Sequence, residues 1–396
     1  MLNVNDWRAA ARRTLPRFVY EYVDGAAEDE RCLARNRSAL DAVSLTPRVL
    51  RDTRRIDPKV SLFGQTWAQP FAIAPTGLNG LIRPGGDLMG AAAAQTMGVP
   101  FVLSTASNER LEAVREAAPQ AQLWLQLYVM EDRSVAEQLL RRAKAAKFSA
   151  LVLTVDVPVS GLREKDLRNG FKVPFKPSLP MAIDLMRHPA WSLRQAMGGG
   201  PKFVNLVEDT KARMSAQAQA ALLARAMDRG LDWYSLSWLR RHWAGPLLVK
   251  GVLHPNDARR AQREGVDALI VSNHGARQLD VAPTSIDQLP RVVEAVRGGI
   301  PVLMDSGIRR GSDVARALAL GAHAVLIGRP VLYGLAVQGQ SGIERVLTTL
   351  ASELERTMIL LGETDVGALR VSRSPADPYK ARNAMPSRST GSTSPR

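Results

Sequence analysis

The chain has 396 residues, 45% of them hydrophobic, enough to bury a large core and to fill one (β/α)8 barrel with insertions as readily as two smaller domains. Its single cysteine, Cys32, excludes an intramolecular disulfide framework and a four-cysteine zinc site, and no metal site is expected. Lys plus Arg number 53 against 38 for Asp plus Glu, a formal net charge of +15 that suits anionic lipid or acidic small molecules; without a zinc finger, RNP motif or basic heptad region, no nucleic-acid partner is expected.

Met1-Leu2-Asn3-Val4-Asn5-Asp6 shows no cationic start before an apolar stretch, and no apolar run reaches the roughly 18 residues of a spanning helix. A cytoplasmic protein without a signal peptide is expected, with peripheral contact at the inner face of the cell membrane left open. Residues 6–35 read as helical and carry Tyr20 and Tyr22. Eight apolar runs follow, at 71–74, 101–104, 123–128, 150–156, 247–250, 268–273, 301–305 and 324–328. Segments of helical period separate most of them, such as 133–146, 255–263 and 312–320. This alternation predicts parallel strands and an α/β fold, a (β/α)8 TIM barrel with an N-terminal helical segment, occupying residues 1–372 as one domain.

A long insertion, 161–245, interrupts the alternation after the fourth strand. Within it, residues 172–202 mix Phe175, Leu179, Met181, Ile183, Leu185, Met186 and Trp191 with Lys172, Lys176, Arg187, Arg194 and Lys202, opposed only by Asp184. Such a segment is either a lid over the active site or a monotopic anchor on an anionic membrane surface. From residue 373 to 396 the chain turns to Ser, Pro and Arg, which predicts a disordered tail.

In a barrel of this kind the chemistry gathers at the C-terminal ends of the strands. Those ends carry Pro75-Thr76-Gly77, Ser104, Gln126 with Tyr128, Thr154 with Asp156, Lys250, Ser272-Asn273-His274, Asp305 and Gly328-Arg329. An isolated histidine is most often a hydrogen-bonded core group. His274, with Arg277 three residues along the same loop, instead reads as a proton acceptor beside a guanidinium fork matched to a carboxylate. His188, His242, His254 and His323 have no such setting and read as structural or surface residues. Asp305-Ser306-Gly307-Ile308-Arg309 and Gly328-Arg329 bring glycines and arginines to helix starts after the last two strands, which predicts a phosphate site. Lys250 has three readings: a structural ion pair, a counter-ion for an anionic cofactor, or a Schiff-base lysine. The last would leave His274 and Arg277 without a task.

These residues resemble the FMN-dependent 2-hydroxy acid dehydrogenase/oxidase family over about residues 4–362, through Ser-Asn-His-Gly-x-Arg-Gln-Leu-Asp at 272–280 and Asp-Ser-Gly-x-Arg-Arg-Gly at 305–311. Pro75-Thr76-Gly77-Leu78-Asn79-Gly80 and Leu103-Ser104-Thr105-Ala106-Ser107-Asn108 bring it nearest to the (S)-mandelate dehydrogenases among the members. The resemblance implies that His274 is the base and Asp156 stabilises its imidazolium. Arg277 and Arg163 would clamp the substrate carboxylate, with Tyr22 as a further donor and Tyr128 near the substrate hydroxyl. Lys250 would face flavin N1 and O2. Ser104, Gln126, Thr154 and Ser272 would bond the isoalloxazine, Pro75, Thr76 and Gly77 would flank it, and Asp305, Gly307, Arg309, Gly328 and Arg329 would hold the ribityl and phosphate.

Three positions depart from the family pattern. Ala276 replaces a glycine, which implies strain of order ~1 kcal/mol if φ is positive there. Asn169-Gly170-Phe171 lacks the usual arginine, and Ala106 stands where short-chain oxidases have tryptophan, so a bulky or aromatic substrate is expected. The resemblance implies electron transfer to a quinone or another acceptor and a homotetramer. L-lactate oxidation, an oxygen-using oxidase, a non-redox phosphate-site barrel and a barrel that binds without turnover remain as alternatives.

Overall fold

The computed structural model describes residues 1–170, 178–198, 200, 203–205 and 227–371. Eight parallel strands close into a barrel: β1 Phe71–Ile73, β2 Phe101–Leu103, β3 Leu123–Leu127, β4 Ala150–Thr154, β5 Leu247–Val252, β6 Ala268–Val271, β7 Val302–Met304 and β8 Ala324–Ile327, with β8 pairing β1. Each coincides with one of the eight apolar runs of the sequence. The strands bury both faces, which is why they read as unbroken apolar runs. One parity, with Ala72, Val102, Trp124, Val152, Leu248, Ile270, Leu303 and Leu326, fills the barrel interior. The other, including Ile73, Leu103, Leu125, Leu153, Val249, Leu269, Met304 and Ile327, packs under the surrounding helices.

A hairpin, Val60–Leu62 with Gln65–Trp67, adds Leu62 and Trp67 to the interior cluster, and the Trp67 and Trp124 rings meet edge to face at 5.4 Å. The expected N-terminal helical region comprises three helices, Val4–Thr14, Arg17–Asp24 and Arg31–Ala42. Non-glycine residues with positive φ, Glu28 and Glu30, lie in the link between the last two. Cys32 is buried with its Sγ against Asn273 Nδ2, as a structural cysteine should be.

The insertion is shorter than 161–245. Its last part, helix Trp233–His242, sits where the helix between the fourth and fifth strands belongs, started by a capping box between Asp232 and Ser235 and buried through Leu236 and Leu239. Helices Leu179–Arg187 and Pro189–Gly198 occupy the middle. Lys172, Phe175, Lys176 and Lys202 of the insertion, and the tail 373–396, lie outside the described residues.

Candidate active site

Strand parity builds the site. Two residues beyond the inward-facing positions just named stand Ala74, Ser104, Gln126, Thr154, Lys250, Ser272, Asp305 and Gly328, so each continues its strand's inward face into the barrel mouth. Six of these are polar and less than a tenth exposed: Ser104, Gln126, Thr154, Lys250, Ser272 and Asp305. Their bonds run around the ring. Ser104 Oγ donates to Gln126 Oε1 at 3.2 Å, and the Lys250 ammonium lies 2.9 Å from Ser272 Oγ and 3.2 Å from Asp305 Oδ2. Burial alone would lower the Lys250 pKa, but Asp305 and Asp156 outweigh it and hold the ammonium charged.

His274 stands on an unusual turn. His274, Gly275 and Ala276 all take positive φ, 57°, 62° and 65°. The strain expected at Ala276 is therefore present, and the turn persists because its three N–H groups are bound: His274 to Ser272 Oγ at 3.0 Å, Gly275 to Ser306 Oγ at 3.0 Å, Ala276 to Asn273 Oδ1 at 3.2 Å. Asn273 is held in turn by a reciprocal amide pair with Asn36 of helix Arg31–Ala42. The turn points His274 Nδ1 at Asp156 Oδ1, 2.9 Å away, and leaves Nε2 3.5 Å from the Tyr128 hydroxyl. Burial opposes ionisation of Asp156, yet the His274 and Lys250 charges and the His274 hydrogen bond prevail, and its carboxyl lies below the usual range. Asp156 can approach β5 because residue 251 is glycine: a Cβ there would lie 2.6 Å from Asp156 Cβ. Burial and the Asp156 charge raise the Tyr128 phenol well above its ordinary value, so it is a neutral donor.

Arg277 places its guanidinium 4.8 Å over the Tyr22 ring and gives Nη1 to the carbonyls of Tyr22 and Gly25 at 2.6 and 3.2 Å. Arg163 is paired through Nε with Asp166 at 2.6 Å. Tyr22 donates its hydroxyl to the Gly77 carbonyl at 3.3 Å. Arg329, expected at the phosphate, is on the wall of the site's cavity and gives its guanidinium to the backbone carbonyls of Val23, Gly25 and Gly275 at 3.0, 2.7 and 2.9 Å. It fastens the N-terminal segment to the His274 turn. Burial and the neighbouring Arg277 and Arg309 push its pKa down to about 10.

Ser104, Lys250, Asp305, His274, Tyr128, Tyr22, Arg163, Arg277 and Arg329 line one cavity of about 610 Å³, with Pro75, Thr76, Gly77, Ala106, Gly307, Arg309 and Gly328 also on its walls. That size suits a cofactor with a small substrate. Gln126 Nε2 and Thr154 Oγ1, buried on the ring, have no hydrogen-bond partner among the described residues. Leaving each unmade costs about 1–3 kcal/mol, which the polar edge of a bound isoalloxazine would offset, so the residues present fit FMN. The phosphate end fits as well: Gly307 and Gly328 stand just before the helices Gly311–Ala319 and Arg329–Gln338. A larger hollow of about 1040 Å³ beside helix Val4–Thr14 contains none of the ring residues.

Sequence reasoning missed Phe203 and Met227, which reach the cavity wall from a segment with no readable period, and the supports Asn36 and Ser306. For Ser306 the signal was its place in the Asp-Ser-Gly run; for Asn36 there was none. The other histidines lie away from the ring: His188 against Asp184 and His323 between Val302 and Arg370 are part-buried, while His242, on the Trp238 carbonyl, and His254, accepting from the Asn256 N–H, are on the surface.

Comparison with known proteins agrees with this geometry. Residues 11–374 match the FMN-dependent dehydrogenase family. The chain is 43% identical to the (S)-mandelate dehydrogenase of Pseudomonas putida over 369 residues, covering 93% of this chain and 92% of that one. It is 42% identical to the L-lactate dehydrogenase of Xanthomonas campestris pv. campestris (strain B100) over 366 residues, 92% of this chain and 94% of that one. The crystal structure of the monotopic membrane protein (S)-mandelate dehydrogenase superposes with a TM-score of 0.90 at 43% identity, covering 93% of this chain and 97% of that one. Mandelate oxidase with (S)-4-hydroxymandelic acid gives a TM-score of 0.81 at 38% identity over 93% and 98%. The ring, the turn and these relatives lead to one conclusion: the chain belongs to the FMN-dependent dehydrogenase family.

Proposed function

We propose that this chain oxidises an (S)-2-hydroxy acid with a bulky or aromatic side chain, mandelate or a close analogue, to the 2-keto acid. The observation that carries the proposal is His274, paired with Asp156 at 2.9 Å, in the same cavity as Arg277, Arg163 and the small Ala106. Arg277 and Arg163 bind the substrate carboxylate. The Nε2 of His274 accepts the substrate proton, and Asp156 stabilises the imidazolium so formed. Tyr128, a neutral phenol beside Nε2, orients the substrate hydroxyl, while Tyr22 lines the carboxylate end. Ala106 leaves room for the side chain. Ser104, Gln126, Thr154, Lys250 and Ser272 would hold the isoalloxazine, and Asp305, Arg309 and the backbones of Gly307 and Gly328 the ribityl phosphate; bound FMN supplies the two-electron acceptor. Lys250 puts a fixed positive charge on the ring of strand ends.

The test is a visible spectrum followed without air. The yellow protein should bleach with (S)-mandelate and stay yellow with (R)-mandelate. Bleaching by (S)-lactate alone would move the assignment to the lactate-oxidising relatives, and a protein that binds no FMN would overturn it.

Peripheral membrane association belongs to the same proposal. No described helix is long and apolar enough to cross a membrane. Helices Leu179–Arg187 and Pro189–Gly198 expose Leu179 (76%), Met186 (71%), Leu193 (63%) and Met197 (81%), which supports an anchor over a lid packed on its own barrel. A quinone would then accept the electrons at the bilayer. The protein should sediment with anionic vesicles and be released by detergent more fully than by salt; a protein that stays in the supernatant at low salt has a lid there. The homotetramer is the assembly proposed, checked by sedimentation velocity in detergent.

A further inference from the structure

Asp87, in the first turn of helix Gly86–Met97, is wholly buried and takes no part in the chemistry above. Its partners are neutral: Asn79 Nδ2 at 2.7 Å, Ser107 Oγ at 2.7 Å and the Asn108 N–H at 3.2 Å. Burial pushes its carboxyl above the usual range in spite of these bonds. A buried acid without a bonded cation is costly, so its position calls for a reason.

The reason lies in what it joins. Asn79 belongs to the loop after β1, which carries Thr76 and Gly77; Ser107 and Asn108 belong to the loop after β2, which carries Ala106. Further bonds run alongside, from Thr76 Oγ1 to Asn79 Oδ1 at 3.0 Å, Leu78 N–H to the Ala106 carbonyl at 3.2 Å and Gly80 N–H to Asn108 Oδ1 at 2.9 Å. The two loops touch without slack, since a Cβ on Gly77 would lie 3.0 Å from Ala106 Cβ. Asp87 gathers both loops onto a rigid helix, through one carboxylate oxygen for each loop.

We propose that Asp87 is a positioning residue that sets side-chain specificity, by fixing the contact between Gly77 and Ala106 in the wall of the substrate pocket. This rests on the reading that Ala106 faces the substrate side chain. An aromatic substrate uses that wall throughout its length, whereas a methyl group barely reaches it, so loosening the two loops penalises the aromatic acid selectively.

The experiment compares FMN-loaded wild type, Asp87→Ala, Asp87→Asn and Ser107→Ala, measuring bound FMN, melting temperature and the second-order rate of anaerobic bleaching with (S)-mandelate and with (S)-lactate. Asp87→Ala should retain FMN and lower the mandelate-to-lactate rate ratio at least about tenfold. Ser107→Ala and Asp87→Asn, which leave part of the clasp in place, should move the ratio the same way by less, and they carry the test if Asp87→Ala does not fold. A ratio unchanged in every folded, FMN-loaded variant, with only the melting temperature lowered, makes Asp87 purely structural and overturns the proposal. Wild type that bleaches with neither acid overturns the functional reading as well, so the two failures are distinct.

Discussion

Asp156→Asn isolates the electrostatic part of the base. In the wild type the carboxylate receives His274 Nδ1 at 2.9 Å, and its second oxygen is buried with no partner among the described residues. Asparagine can keep the Nδ1 bond through its carbonyl, but it removes the negative charge that stabilises the imidazolium and buries an amide N–H₂ where Oδ2 stood. A hydrogen bond to a charged group is worth about 1.5–3 kcal/mol. At about 1.36 kcal/mol per factor of ten, the rate of flavin reduction should fall about 10- to 150-fold. Stopped-flow bleaching at saturating (S)-mandelate reads this rate, and a primary isotope effect with the α-deuterated acid confirms that the chemical step is being observed. Substrate affinity should change little, because Arg277 and Arg163 are untouched. A reduction rate within twofold of wild type would refute the assignment of Asp156 as the stabilising anion.

Ala106→Trp fills the wall of the cavity and should depress bleaching by (S)-mandelate far more than by (S)-lactate; equal losses would remove Ala106 from the substrate pocket. Ala276→Gly relieves about 1 kcal/mol of left-handed strain but loses a buried methyl worth about 0.8 kcal/mol and adds about 0.4–1 kcal/mol of unfolded-state entropy. It should therefore leave stability unchanged or slightly lower, and a marked rise in melting temperature would contradict this balance. His323 is pushed down to about 4 by burial and the Arg370 guanidinium, so the unfolded chain takes up its proton first. Its contribution is complete above pH ~6.5 and is lost as the pH falls toward ~4, a loss that solvent screening of this part-exposed ring holds to about 1–2 kcal/mol. His323→Gln should flatten the fall in stability between pH 6.5 and 4.5 in urea titrations, and an unchanged slope would place the titration elsewhere.

The barrel was legible because its strands bury both faces and so appear as eight continuous apolar runs, and the rim because strand parity carries polar residues such as Gln126, Lys250 and Asp305 straight into the mouth. What stayed hidden are contacts between residues far apart in sequence. Nothing local marks Asn36 as the partner of Asn273, or Asp87 as the clasp between two loops. Nor does anything local mark the three backbone carbonyls from distant segments that the Arg329 guanidinium holds. Helix Trp233–His242 was absorbed into the insertion because a serine, instead of Glu or Gln, completes its capping box and its apolar stripe is narrow.

The central claim is that His274 removes the substrate proton. His274→Ala leaves the ring of strand-end residues intact, so the variant should purify yellow with a normal FMN spectrum. Its rate of anaerobic bleaching by (S)-mandelate should fall at least ~10²-fold, the usual cost of losing a general base. Bleaching at a near wild-type rate by that yellow variant would contradict the claim.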